Sequence, residues 1–284
     1  MTDERYSRLA AEHLPAELVE RWAALLRPCV RLRRAGAGEE AVAVLGGAPE
    51  LPAGAVWPEW AGHGPLSFVA SVRCAGLPRD ALAEAFPRAG TLLFFYFDGQ
   101  VDEDVFVSVD DPDTWAGAQV LYIPESTPVF PADTPPELEA YPRVNLSADT
   151  GESAPDIWLP QARRALLGDS QPWPHPRDTP AELRPFVRAY GRLRTRVDHQ
   201  IGGHAVPAQG PVEYEIANAA LGGMHAWGDP PLDQEAERWV LLAQFGSDRD
   251  AKVSWGDEGT LYWLIRSDDL AAHRFDRARL TVQS

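Results

Sequence analysis

The chain has 284 residues, of which 45% are hydrophobic, enough to build a sizeable core. Acidic residues outnumber basic ones, 42 to 26, for a formal charge of −16. This balance argues against nucleic-acid binding, which needs a basic face for phosphates, and against adsorption to an anionic membrane. It permits a basic protein partner, steered by opposite surface potentials.

In chain order, Leu14–Arg27 reads as a helix: Pro15 suits its first turn, and Leu18, Trp22, Leu25 and Leu26 form one stripe ended by Pro28. Cys29–Arg33 alternates apolar and basic residues, the period of a half-buried strand. Ala41–Leu45 is a short apolar run closed by Gly46-Gly47-Ala48-Pro49. The Pro/Gly-rich stretch Leu51–Pro65 reads as an ordered loop holding Trp57 and Trp60 against a core edge. Strands are expected at Leu66–Val72, Thr91–Phe97, Val105–Val109 and Gln119–Ile123, with a short helix at Pro78–Phe86.

Pro124–Pro142 is too rich in proline for a central strand, because each proline removes a ladder donor. Ser147–Pro180, with Trp158 and Trp173, reads as a second irregular region. Thr179 and Pro180 open a helix with Leu183, Phe186, Val187, Tyr190 and Leu193 on one face. His199–Gly210 holds a second Gly-Gly turn, and Ala217–Pro231 reads as a mobile, glycine-rich loop. Trp239–Phe245 and Thr260–Ile265 are strands, Ser267 with Asp268 and Asp269 caps a helical turn from Leu270, and Arg279–Val282 is an edge strand.

The two halves share a phrase. Phe68–Val72 aligns without gaps on Leu241–Phe245, and Gly90-Thr91-Leu92 on Gly259-Thr260-Leu261; Gly46-Gly47 and Gly202-Gly203 precede the two strand pairs. The expected architecture is α+β and strand-dominated, with mixed or antiparallel sheets from a duplicated β-unit and a few short peripheral helices. Residues 29–123 form the first unit, 124–180 the connection and 181–284 the second unit of one domain spanning 1–284. The phrases GGAPELP, GPLSFVASV and GTLLFFY, then HQIGGHAVPAQG, WVLLAQFGSD and WGDEGTLYWLI, are similar to the YwqG-like family, a domain of unknown function. The resemblance runs from about Gly46 to the C-terminus and implies a bacterial cytosolic protein with a strand-dominated fold. Members of that family carry glutamine where this chain has Ser71, which leaves Gln244 without a symmetric counterpart.

No phosphate loop, dinucleotide fingerprint, nucleophile elbow, zinc-protease helix or CxxC pair is present. The polar candidates gather in the second half: His199, His204, Gln209, Gln244, Asp248, Trp255 and Asp257. Their spacing fits no metal-ligand signature, so neither metal nor cofactor is expected. Asp248 and Asp257 follow glycines and read first as turn residues bonding nearby N–H groups. Trp255 reads as a loop anchor buried against Trp239–Phe245 with its N–H satisfied, beside a strained Gly256. Cys29 and Cys74 are expected as reduced thiols without a catalytic role. The leader-free N-terminus and the absence of an apolar run near ~20 residues give a cytosolic, non-membrane expectation. The functional expectation is a non-catalytic binding or interaction protein, with a basic protein or small ligand as partner. The alternative is a hydrolase using Asp248 or Asp257 as general base near His199.

Overall fold

The computed structural model describes residues 4–168, 179–193 and 199–284. Helix α1 (Arg5–His13) puts Tyr6 and Ala10 on its buried face. The Glu152 carboxylate accepts from the Tyr6 and Ser7 amides at 3.0 and 2.9 Å, satisfying N–H groups that a helix start leaves free. The helix expected at Leu14–Arg27 is shorter: α2 spans Ala16–Ala23, and Arg27 already belongs to β1 (Arg27–Arg34). Pro28 disfavours the helical region for the residue before it, so the chain turns extended one residue earlier than an interior stop would require.

Short strands β2 (Ala43–Leu45), β3 (Glu50–Pro52), β4 (Glu59–Trp60) and β5 (Gly64–Pro65) lead into β6 (Ser67–Arg73) and β7 (Thr91–Tyr96). Strand β8 (Ala118–Ile123) follows; β9 (Val129–Pro131) then pairs β3 in a small ribbon. Strand β10 (Val144–Ser153), helices α3 (Pro160–Leu167) and α4 (Arg184–Leu193), and strand β11 (His199–Ile201) come next. Helices α5 (Val212–Ala220) and α6 (Pro230–Ala236) precede β12 (Trp239–Gly246), β13 (Thr260–Arg266), α7 (Ser267–Ala271) and β14 (Arg279–Gln283).

Four expectations need correction. Ser147–Pro180 is not irregular throughout: it supplies most of β10, which pairs with the whole of β1. Val105–Val109 is not a strand, and Pro78–Phe86 is not a helix but two tight turns, one at Arg79–Ala81 and one closed by the Phe86 amide on the Ala83 carbonyl. The stretch Ala217–Pro231 is not one long loop: α5 continues to Ala220 and α6 starts at Pro230. Trp173 lies outside the described residues.

Ten strands form one antiparallel sheet in the order β14-β13-β12-β11-β1-β10-β2-β6-β7-β8. The order reads alike from both ends: β14 matches β8, β13 matches β7, β12 matches β6, β11 matches β2, and β1 meets β10 at the centre. Each half carries one extra residue at the same place in its phrase, Val69 opposite β7 and Leu242 opposite β13. The bulged residue's carbonyl accepts from the first glycine of the Gly-Gly turn in both halves, Gly46 to Val69 at 2.9 Å and Gly202 to Leu242 at 3.3 Å. All four glycines have positive φ, between 63° and 76°. A Cβ on Gly203 would sit 2.6 Å from that of Cys29, so both turns are closed to side chains by backbone shape and by packing.

The sheet curls until its ends approach. Tyr122 of β8 packs on Phe275, just before β14, with ring centroids 5.2 Å apart. Its concave face encloses the largest core cluster, where Phe94 lies 5.1 Å from both Phe245 and Trp263 and so joins the two halves. On the convex face, α5 and α6 cover the second half through Tyr214, Ile216 and Leu232. Helices α1 to α4 form a separate aromatic cluster around Trp22. The first half is covered more thinly, by the β3–β9 ribbon and the loop carrying Trp57 and Trp60. Among the described residues no helix is long and apolar enough to cross a membrane.

Candidate functional site

The convex face of each half carries one row of cross-strand neighbours. In the second half the row is Gln200, Gln244, Tyr262 and Thr281, with Thr260 and Gln283 alongside. These side chains are buried, and the three glutamines and Tyr262 grip the loop that follows the Gly-Gly turn. Gln200 donates to the carbonyls of Gly202 and His204 at 2.7 and 2.8 Å. Gln244 accepts from the Val206 amide at 3.0 Å, and the Tyr262 hydroxyl donates to the Val206 carbonyl at 3.0 Å. Gln283 accepts from the Gln209 amide and donates to the Gly210 carbonyl, each at 2.9 Å. The chain's own backbone therefore occupies this face, and every amide in the row has a task. Of the candidate ligand residues, Gln244 is spent on this internal clasp, and Gln209 enters it through its backbone amide while its exposed side chain donates to the Ser284 carbonyl.

In the first half the matching positions are Val44, Ser71 and Leu93, with Thr91 and Ile123 alongside. No amide side chain stands among them. The loop after Gly46-Gly47 is drawn instead into the β3–β9 ribbon, where the Ala132 amide bonds the Pro49 carbonyl at 2.9 Å. A cavity of about 420 Å³ opens between sheet and ribbon. Its floor is Val44, Ser71, Leu93, Thr91 and Ile123, and Glu50, Val129 and Pro131 form its roof. Arg73 and Arg143 stand at its rim; Arg73 pairs with Glu40 at 2.6 Å, whereas Arg143 has no ion pair among the described residues. The Ser71 and Thr91 hydroxyls make no hydrogen bond with described residues. Volume, apolar floor and a few polar groups are those of small-molecule sites.

The remaining candidates divide. His199 is 3% exposed, with its Nε2 at 3.4 Å from an Asp248 oxygen and its Nδ1 without a partner among the described residues. That contact, more than burial opposes it, holds the Asp248 carboxyl down at about 2. Asp248 also accepts from the Asp250 and Ala251 amides, both at 2.8 Å, which is the turn role its position implied. Trp255 is buried, 3% exposed, but its ring meets Tyr96 and Tyr141 edge-on. Its indole N–H is unpartnered among the described residues, contrary to the expectation of a satisfied donor. Gly256 has φ +64°, as expected for this loop. Asp257 is exposed and bonds none of the loop's amides, so the turn role expected of both aspartates belongs to Asp248 alone. The triad of His199, Asp248 and Asp257 is not assembled: the first two meet and the third does not.

His204 donates from Nε2 to the Leu25 carbonyl at 2.8 Å, and no metal-holding group of His, Cys, Asp and Glu occurs among the described residues. Both cysteines are buried, and desolvation pushes the Cys74 thiol up to about 12, away from nucleophilic use.

The fold is thus a strand-rich chain with a large, nearly closed antiparallel sheet and several short helices. The chain belongs to the family described as a domain of unknown function (DUF1963), whose model matches residues 43–284. No curated protein matches it. The cavity residues were absent from the sequence-based candidates, although one signal pointed there: the gapless alignment sets Ser71 against Gln244, a short side chain where its counterpart fills space.

Proposed function

We propose that this protein is a non-catalytic cytosolic binding protein whose ligand, a small molecule with an apolar body and an anionic end, sits in the first-half cavity. One observation carries the reading: the same row of the sheet is filled by the chain's own loop in one half and open in the other. The matched strand order, bulges and Gly-Gly turns support an origin by duplication of one β-unit, after which a single copy kept a vacancy. The apolar floor supports burial of a hydrocarbon part, and Arg143 supports an acidic group at the mouth.

Isothermal titration with octanoate tests this against the parent and Ser71→Gln, whose longer side chain copies Gln244 and fills the cavity. Saturable binding to the parent and at least a tenfold loss in the variant are expected, with no fall in melting temperature. Octanol should bind more weakly than octanoate. If neither probe binds the parent saturably, the reading is wrong.

The net charge of −16 supports docking of a basic protein as a second mode; recovery of no partner from extract at low or high salt would count against it. A hydrolase reading keeps one observation, the His199–Asp248 contact. It is weakened by the near-complete burial of His199 and by the separation of Asp257. Esterase activity that Asp248→Asn leaves at the parental rate would remove it.

A further inference from the structure

Helix α4 breaks the molecule's charge pattern. Its inward face is fixed by aromatic packing, with the Trp22 ring 4.9 Å from Phe186 and 5.6 Å from Tyr190. Its outward face carries Arg184, Arg188 and Arg192 at i, i+4 and i+8, all exposed. With His13 at the end of α1 they line a shallow concavity of about 380 Å³. Like charges at this spacing are surface neighbours and repel. In a chain with 42 acidic residues for 26 basic ones, an arginine should find a carboxylate easily. Several do elsewhere, Arg33 with Glu39 and Asp149, Arg163 with Asp233 and Arg274 with Asp269, but nowhere else do three exposed arginines stand in one helical stripe without one among the described residues. Arg188 and Arg192 form no ion pair or hydrogen bond among the described residues, and Arg184 donates only to the Thr179 carbonyl, at 3.1 Å. The helix itself contains no acidic residue.

We propose that this arginine stripe binds a polyvalent phosphate chain, the triphosphate group, whether free or carried by a nucleotide. A guanidinium forks onto phosphate oxygens with charge-assisted bonds. Three of them along about 12 Å of helix fit a linear polyanion better than a single carboxylate. Because the inner face locks the helix, binding orders only side chains and spares the cost of ordering backbone. The repulsion among the arginines is relieved by the ligand, which accounts for their standing together without ion pairs among the described residues. The site is remote in sequence from the first-half cavity and does not depend on it.

Titration calorimetry on the full chain with tripolyphosphate, ATP and citrate, at low and moderate salt, tests the proposal. Tripolyphosphate should bind saturably and weaken with salt. Arg188→Gln with Arg192→Gln should lower its affinity at least tenfold without lowering the melting temperature. Arg249→Gln, at a 95% exposed arginine outside α4, should leave it unchanged. Equal affinities for tripolyphosphate and ATP assign recognition to the phosphate chain alone, and a tighter ATP complex assigns it to a nucleotide. The proposal is overturned by no saturable binding, by affinity that survives the double substitution, by citrate binding as well as tripolyphosphate, or by a poly-glutamate peptide binding more tightly.

Discussion

The buried His204 side chain is held by backbone, and it shows a consequence for stability. Its imidazole is enclosed beside the Leu25 carbonyl, and desolvation first, with the Arg27 charge second, lowers its pKa from 6.5 to about 3. The folded state therefore keeps His204 neutral where the unfolded chain protonates it. Its contribution is fully present above pH 6.5 and is lost progressively as pH falls toward 3. Asp248 cannot mimic this: its folded value is about 2 against an ordinary 3.8, so its stabilisation is lost only at lower pH. The melting temperature should fall between pH 6.5 and about 4, and the slope should be smaller in His204→Gln, which keeps a donor without titrating. An identical slope in both proteins would contradict the assignment. At this scale the sequence named useful residue types but not their tasks. His199, Gln244 and Asp248 were picked out as polar groups near strands, yet Gln244 and Asp248 hold backbone amides of neighbouring loops and His199 meets the Asp248 carboxylate, pairings that no spacing rule reveals.

At the scale of elements, the loop from Ser247 to Gly259 is held by what it buries. Asp248 and Val253 bridge its neck, bonding each other's backbone at 3.0 Å both ways, and the Trp255 ring plugs the space beside Tyr96 and Tyr141. Trp255→Ala should cost about 3–5 kcal/mol through lost burial and a cavity. Asp257→Asn, at an exposed and unbonded position, should stay within about 0.5 kcal/mol. Chemical denaturation of the two variants beside the parent checks both values; a Trp255→Ala curve coincident with the parent would remove the anchor. The elements most legible from sequence were those with strong local pattern: β6, β7, β12 and β13 are apolar runs. Strand β10 was not legible. Its Asn145, Ser147, Asp149, Thr150 and Gly151 carry no strand signature, and it is extended because β1 and β2 flank it and satisfy its backbone. Helix α5 was hidden for a related reason. Its small and polar residues face a sheet that buries Glu213 as well as Ile216, and no exposed polar face marks a helical period.

At the scale of the whole molecule, the repeated phrase left open whether the two halves pack as separate units or join in one sheet, and they share one sheet and one core. Had each unit closed on itself, the halves would behave as separate domains. Instead the central pair of β1 and β10 joins them into one sheet, and the curl of that sheet brings Phe94 of the first half against Phe245 and Trp263 of the second. A side chain packed between two units couples their stabilities, since neither can keep that contact when the other unfolds. Far-ultraviolet dichroism reports the sheet of both halves, and tryptophan fluorescence reports rings distributed over both, from Trp57 and Trp60 to Trp239 and Trp263. The two signals should therefore trace a single coincident transition in denaturant. Phe94→Ala should move that midpoint down by an amount corresponding to about 3–5 kcal/mol. It should do so for both probes together, because the ring it removes belongs to the shared core rather than to its own strand pair. Two resolved transitions in the parent, or a Phe94→Ala shift confined to one probe, would show that the halves fold as independent units and that the contact across the concave face is incidental to stability.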